Sequence, residues 1–266
     1  MPETFSARLA RHCGLGLLIL IACFALLGPA LIGIDPATQS LGDSLLPPGA
    51  SHWLGTDVYG RSVLARIAHA AQLSLGLALL AALSAALPGV LTGVTASWCG
   101  GRIERGLVML ADACMAVPGL LLVLLFAAIA PGQYWALYIG LALSLWVEYF
   151  RVTRAASRPI LHGDAVQASR LLGFGKLYVL RRHVLPALTP LLATLLPLSA
   201  AQAVLALAAL GFIGVGLQPP TPELGVMMIE FFPFYSEAPW LIAAPVTLLI
   251  LLVLGMMLLA GDKELT

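Results

Sequence analysis

The chain has 266 residues, of which 60% are hydrophobic and only 10% charged, against about 45–50% and about 25% in soluble domains. A formal net charge of +1 and a mean hydropathy of +0.97 exclude a nucleic-acid binder that works through bulk basic charge, and equally a disordered acidic tail. The balance is that of a membrane protein.

Five stretches lack Asp, Glu, Lys and Arg: 12–34, 67–101, 113–147, 183–222 and 238–261. Crossing about 30 Å of hydrocarbon at about 1.5 Å per residue takes roughly 20 apolar residues. In chain order, a short segment 1–12 with Arg8 and Arg11 leads to a first span at 13–34. Two arginines before an apolar run also suit a signal peptide, and Leu20-Ile21-Ala22-Cys23 resembles a lipoprotein cleavage box. The run stays apolar to Ile34, however, and no soluble domain follows it. A loop at 35–72 precedes a second span at 73–97, where apolarity becomes continuous. Spans at 106–130 and 134–150 are divided by Pro131-Gly132-Gln133, a turn that lipid would leave unsatisfied. A polar loop at 148–184, a span at 185–207, a glycine-rich segment at 208–238, a span at 239–260 and a tail at 261–266 complete the chain.

The expected architecture is an all-α integral membrane protein with about six transmembrane helices. With six spans, Arg8, Arg11, Arg102, Arg105, Arg151, Arg154, Arg158, Arg170, Lys176, Arg181, Arg182 and Lys263 share one side, and only Arg61 and Arg66 the other. That asymmetry puts both termini, 1–12 and 261–266, in the cytoplasm, with 35–72 and 208–238 outside. A seventh crossing at 208–232 would move only Lys263 and is the runner-up.

Little in the chain supports chemistry of its own. The cysteines Cys13, Cys23, Cys99 and Cys114 lack metal-ligand spacing and read as packing residues. Asp112 is the ionisable candidate inside a span, although its distance from Arg105 suits a position near the cytoplasmic end. The histidines assemble no site. A phosphate-cradling loop needs Lys followed by Ser or Thr, whereas Lys176 and Lys263 precede Leu177 and Glu264. No cofactor is expected on this chain, and no metal.

The cytoplasmic loop 148–184 is too long for a connector and carries half of the basic residues. Asp164 and Gln167 form a capping pair for a short helix that Gly173 ends, with Ala168, Leu171 and Leu172 on one apolar face. A second helix through Lys176–His183 leads to Leu185-Pro186. Composition leaves two readings of this pair: resting on anionic headgroups, or docking a soluble partner.

Gln167-Ala168-Ser169, then Gly173, then Val184-Leu185-Pro186 resembles the Glu-Ala-Ala…Gly…Leu-Pro loop that permease subunits of bacterial ABC importers insert into their ATPase subunits. Gln167 stands where Glu is usual and Ser169 where a second Ala is usual. His52-Trp53-Leu54-Gly55-Thr56-Asp57 followed by Gly60-Arg61 is similar to a signature of the dipeptide, oligopeptide and nickel permeases, with Ser62 where Asp is common. Gly211 through Gly225 and Gly261-Asp262 resemble the segments around that family's last span. The resemblance implies the type I ABC importer permease fold and import by alternating access. It also implies a homologous second permease, two ATP-binding subunits that hold ATP and Mg, and an extracytoplasmic binding protein, all at a bacterial inner membrane. Coupling is then expected at Asp164, Gln167, Ala168, Ser169, Arg170, Leu172 and Gly173, with a kink at Pro186 on membrane re-entry.

Thr92, Met115, Ser144 and Gln202 are polar or soft positions in aliphatic helices, hence candidates for the translocation path or for helix-to-helix bonds. Asp35, Asp43, Asp57, Glu223, Glu230 and Glu237 against two arginines make either an acidic outer vestibule or the residue of keeping basic groups inside. Two rival functions remain in view: an ion-driven secondary carrier, which would need inverted repeats and buried acids, and a non-transporting membrane scaffold.

Overall fold

The computed structural model describes residues 5–261, so Asp262 and Lys263 lie outside the described residues. Ten helices occur in it: α1 (Phe5–Ile32), α2 (Val63–Cys99), α3 (Gly101–Met115), α4 (Gly119–Ile129), α5 (Tyr134–His162), α6 (Asp164–Leu171), α7 (Lys176–Val179), α8 (Leu185–Ile213), α9 (Leu224–Phe231) and α10 (Pro239–Ala260). A π turn, Leu180–Val184, joins α7 to α8 without a break.

Four helical stretches are long and apolar enough to cross a membrane, or five if the bent pair α3 and α4 is one span. The six expected stretches correspond to α1, α2, the α3–α4 pair, α5, α8 and α10, and three of them differ in course from the expected bounds. The helix expected at 106–130 is broken: α3 and α4 meet at 75°, because Pro118 disfavours helical backbone before it and ends the run at Ala116-Val117. The second helix starts at Val63, ten residues before the expected 73, since Ser62 accepts a hydrogen bond from the Ala65 N–H and caps it. The fourth does not stop at 150 but runs 29 residues to His162. Glu148 and Arg151 lower its hydropathy, and it tolerates them because it lies inside the bundle with Tyr149 and Phe150 buried.

Small residues set how closely these helices approach. The inner face of α2 is lined by Ala70, Ala71, Ala78, Ala81, Ala82 and Ala85. Where α2 crosses α5, a Cβ on Gly89 would come within 2.4 Å of Tyr149 Cβ, and one on Gly93 within 2.8 Å of the Phe150 carbonyl oxygen. Only glycine permits this backbone contact, the usual basis of helix pairing in lipid. The Tyr149 hydroxyl meets Ser199 Oγ at 2.5 Å, tying α5 to α8. Ser97 Oγ donates to the Arg154 carbonyl at 2.9 Å, tying α2 to the lower part of α5.

The opposite end is knotted by the His52–Arg61 segment. Asp57 accepts from the backbone N–H groups of Tyr59 and Arg61, both at 2.9 Å. Gly60 turns the chain with φ +70, where a Cβ would collide with the Ser40 carbonyl. Asp57 Oδ2 then receives Arg61 Nε at 2.6 Å and Arg66 Nη1 at 2.8 Å. Both guanidinium groups continue to Glu230 on α9, Arg61 Nη2 at 3.1 Å and Arg66 through its own Nη2. Two cations and two anions thus close a largely buried, neutral ring that fastens the loop, α2 and α9 together. Trp53 remains exposed.

This ring takes two of the six outer acids, Asp57 and Glu230, out of any open acidic surface. Asp57 and Glu230 are neutralised by Arg61 and Arg66, and Glu223 is buried, its Oε2 accepting from Val226 N–H at 2.9 Å at the start of α9. A Cβ on Gly225 would lie 1.9 Å from the Ala208 carbonyl oxygen, so α9 packs directly on α8. With eight residues, or about 12 Å of helix, α9 is too short to cross.

Replacing Arg66 by Met would leave Asp57 and Glu230 short of a cation in a buried site. Loss of one partner of such a group costs about 3–5 kcal/mol, so thermal unfolding in detergent is expected at a clearly lower midpoint than for the parent protein.

Glu223 lies outside the long spans, and burial pushes its carboxyl up to about 7. Between its ordinary range and about 7 the folded chain holds a proton the unfolded chain has released, so folding stability falls as pH rises through that window and is flat above it. Glu223→Gln keeps an acceptor for Val226 and should flatten the slope, with a gain of roughly 3 kcal/mol at about pH 8. Thermal midpoints on both sides of the window measure it.

Candidate functional site

Two features stand out at and near the lower end of α5. One is the elbow formed by α6 and α7; the other is a cavity at the break between α3 and α4.

The elbow is seated on its own small core. Leu161, Val166, Val179, Val184 and Leu188 are buried together, with Val90, Val94 and Trp98 of α2 packed against them. Gly163 occupies the cap position of α6, so Asp164 is its first residue and makes no capping bond; its charge still suits the positive end of the helix. Gln167 does not complete a capping box either. Its Nε2 donates backwards to the His162 carbonyl at 2.9 Å, a contact that Glu cannot make because a carboxylate has no proton to give.

Ser169 is buried and its Oγ bonds the Ala165 carbonyl and His183 Nε2, each at 2.9 Å, which ties α6 to the π turn. Arg170 lies over the Trp98 ring at 5.8 Å. Gly173 has φ +83, and the bonds from Phe174 N to Ser169 O and from Gly173 N to Arg170 O complete a Schellman stop. Ala168 faces out with Leu171 and Leu172, which are 88% and 76% exposed. Phe174 stacks on Tyr178 at 4.2 Å beside them, and Leu177 is also exposed. The elbow therefore presents a contiguous apolar surface rimmed by Lys176, Arg181 and Arg182, the kind of patch that marks an interaction site.

Pro186 does not kink the chain on re-entry. It lies in the first turn of α8, and the rod from Lys176 to Ile213 is continuous. A proline lacks the N–H that would bond four residues back and crowds that carbonyl, and the wider π turn at Leu180–Val184 absorbs the mismatch.

The cavity, about 390 Å³, is lined by Met115, Val117, Pro118, Gly119, Ser144, Glu148 and Arg151 among others. Met115 and Ser144, two of the expected path residues, therefore meet there. Gln202 on α8 lies near Glu148 but outside the cavity lining. Thr92 does not join them, since its hydroxyl bonds the Pro88 carbonyl on its own helix. Asp112 is exposed on α3 and outside the cavity lining. The sequence reading missed Glu148: it directly follows a charge-free stretch and precedes Arg151, which resembles a membrane edge. In α5 it is the midpoint, about 21 Å of helix from either end. Among the described residues no group of three or more His, Cys, Asp or Glu is arranged to hold a metal ion.

Residues 89–261 match the family described as binding-protein-dependent transport system inner membrane component. The matched stretch runs from the α2–α5 crossing through α10 and contains both the elbow and the cavity. The chain is 36% identical over 255 residues to the di/tripeptide transport system permease protein DppC of Pseudomonas aeruginosa, covering 94% of this chain and 84% of that one. It is 32% identical over 223 residues to the nickel transport system permease protein NikC of Escherichia coli, covering 84% and 80%. Among solved structures it resembles a chain of the inward-facing MetNI methionine ABC transporter, with TM-score 0.54 at 18% identity over 68% of this chain and 86% of the other, a likeness of fold. The chain belongs to the binding-protein-dependent transport system inner membrane components, as a permease of the ABC importer type.

Proposed function

We propose that this chain is a membrane-spanning subunit of an ATP-driven importer that carries peptides or nickel chelates into the cytoplasm by alternating access. Its place is a bacterial inner membrane with both termini inside. A homologous second permease, two ATP-binding subunits and an extracytoplasmic binding protein complete the assembly, and ATP and Mg bind to the partners.

The observation that carries the coupling role is the elbow. Leu171 and Leu172 are large apolar side chains held out from the fold, a costly exposure to water unless something covers them. Their helix is clamped from below by Ser169–His183, by Arg170 on Trp98 and by the buried Val166. A push on the exposed face thus passes to α2, α5 and α8 through packed side chains. In this reading Ala168, Leu171 and Leu172 enter the ATP-binding subunit, Gln167 holds the incoming strand of chain, Gly173 makes the turn, and Asp164 and Arg170 set the helix's end charges. The His52–Arg61 segment serves as the outer fastening of α2 and α9. Relatives whose names give dipeptides or nickel as cargo support the substrate class.

Purified under mild detergent, the chain should bring down an ATPase whose activity rises when the binding protein is added. Gly173→Arg strains a left-handed position at a cost of about 1–2 kcal/mol and puts charge into the turn. It should leave membrane insertion intact while import falls to background. Import by that variant at the rate of the parent protein would overturn the coupling role.

A further inference from the structure

The cavity at the α3–α4 break contains two opposite charges that do not use each other. Glu148 and Arg151 are three residues apart on α5 and both line it. At that spacing on a helix, side chains are neighbours and such a pair would ordinarily meet. Here no ion pair joins them: Arg151 Nη1 points to the Met115 thioether at 2.8 Å, and the neutral Gln202 of α8 lies near Glu148. Among the described residues neither enters an ion pair. Ionisable groups within a span are expensive and persist where they serve a ligand or pathway. Glu148 is half-buried and Arg151 exposed on one wall of the cavity, so the two charges, not joined to each other, are open to a guest that brings both opposite charges.

We propose that this cavity is a waypoint for a zwitterionic cargo, with Glu148 receiving its ammonium group and Arg151 its carboxylate. The inference rests on the import function above and narrows its cargo to small free peptides or similar amino acid derivatives. The volume of about 390 Å³ falls within the range of small-molecule sites, about 300–1,000 Å³. Ser144 supplies a neutral hydrogen-bonding group beside the charged pair. A bare metal ion fits less well, since no third His, Cys, Asp or Glu joins Glu148 in a ligand group among the described residues.

The test uses the whole transporter in proteoliposomes, with its ATP-binding subunits inside and its binding protein outside. Alanyl-alanine and nickel chloride are the probes. Glu148→Gln and Arg151→Gln should each lower alanyl-alanine import about tenfold more than they lower binding-protein-stimulated ATP hydrolysis, the size expected for one charge-assisted hydrogen bond. Glu148→Asp should recover part of the loss. Import unchanged in both Gln variants overturns the proposal. So does a parallel fall of import and hydrolysis, which would assign the two side chains to the conformational cycle. Import of nickel but not of alanyl-alanine by the parent protein would overturn the zwitterionic cargo and leave the importer function standing. Failure of the binding protein to stimulate hydrolysis in the parent protein would remove both.

Discussion

The backbone contact between α2 and α5 governs the arrangement of the molecule. At Gly89 and Gly93 the two helices approach so closely that a single Cβ would overlap Tyr149 or the Phe150 carbonyl. Lipid offers no hydrophobic gain for bringing two apolar helices together, so close van der Waals contact between small residues has to do it. The crossing fixes the rotation of α5. Tyr149 and Phe150 then point into the bundle, while Ser144, Glu148 and Arg151 line the cavity. The same helix, continued to His162, delivers the chain to the elbow. Cavity and elbow therefore share one rigid element, and a tilt at one is a displacement at the other.

The far end depends on a different force. Asp57, Arg61, Arg66 and Glu230 form a closed ring with no net charge, three of its members buried and Glu230 partly exposed, joined by hydrogen bonds. An unpaired member would be costly to bury, whereas the complete set is tolerated because each charge has its complement. The ring holds the loop after α1 against α9, and Gly225 lets α9 rest on the Ala208 backbone of α8. One end of the bundle is thus locked by this ring, whereas at the other Glu104 of α3 pairs with Arg154 and Arg158 of α5, and the elbow beyond them is held by a small apolar core and two side-chain contacts.

Much of this was legible in the residue order. The charge-free stretches marked the apolar helices, and the spacing from Gln167 to Pro186 marked the elbow. Gly173 was identified by the need for a left-handed stop, which the φ of +83 meets. Other features were not legible, because they depend on where a helix lies relative to its neighbours. Glu148 resembled a membrane edge until α5 proved to continue fourteen residues beyond it. The outer acids left an open vestibule as one of two readings, and only the fold showed that Asp57 and Glu230 are taken up by the buried Arg61 and Arg66. Pro186 suggested a kink, and a π turn upstream took up the strain instead. Pro118, whose effect on the preceding backbone is local, was readable and was passed over within an apolar run.

Hydropathy, the distribution of arginines and the turn residues depend on one-dimensional patterning, because lipid, water and backbone sterics act on each segment separately. They determined by themselves that this chain is helical, membrane-bound and built around a basic elbow. Which faces meet was decided only in three dimensions, since a buried charge is acceptable or ruinous according to a partner many residues away. Arg66 finds Glu230 across the fold, and Arg151, three positions from Glu148, turns instead to Met115 of another helix.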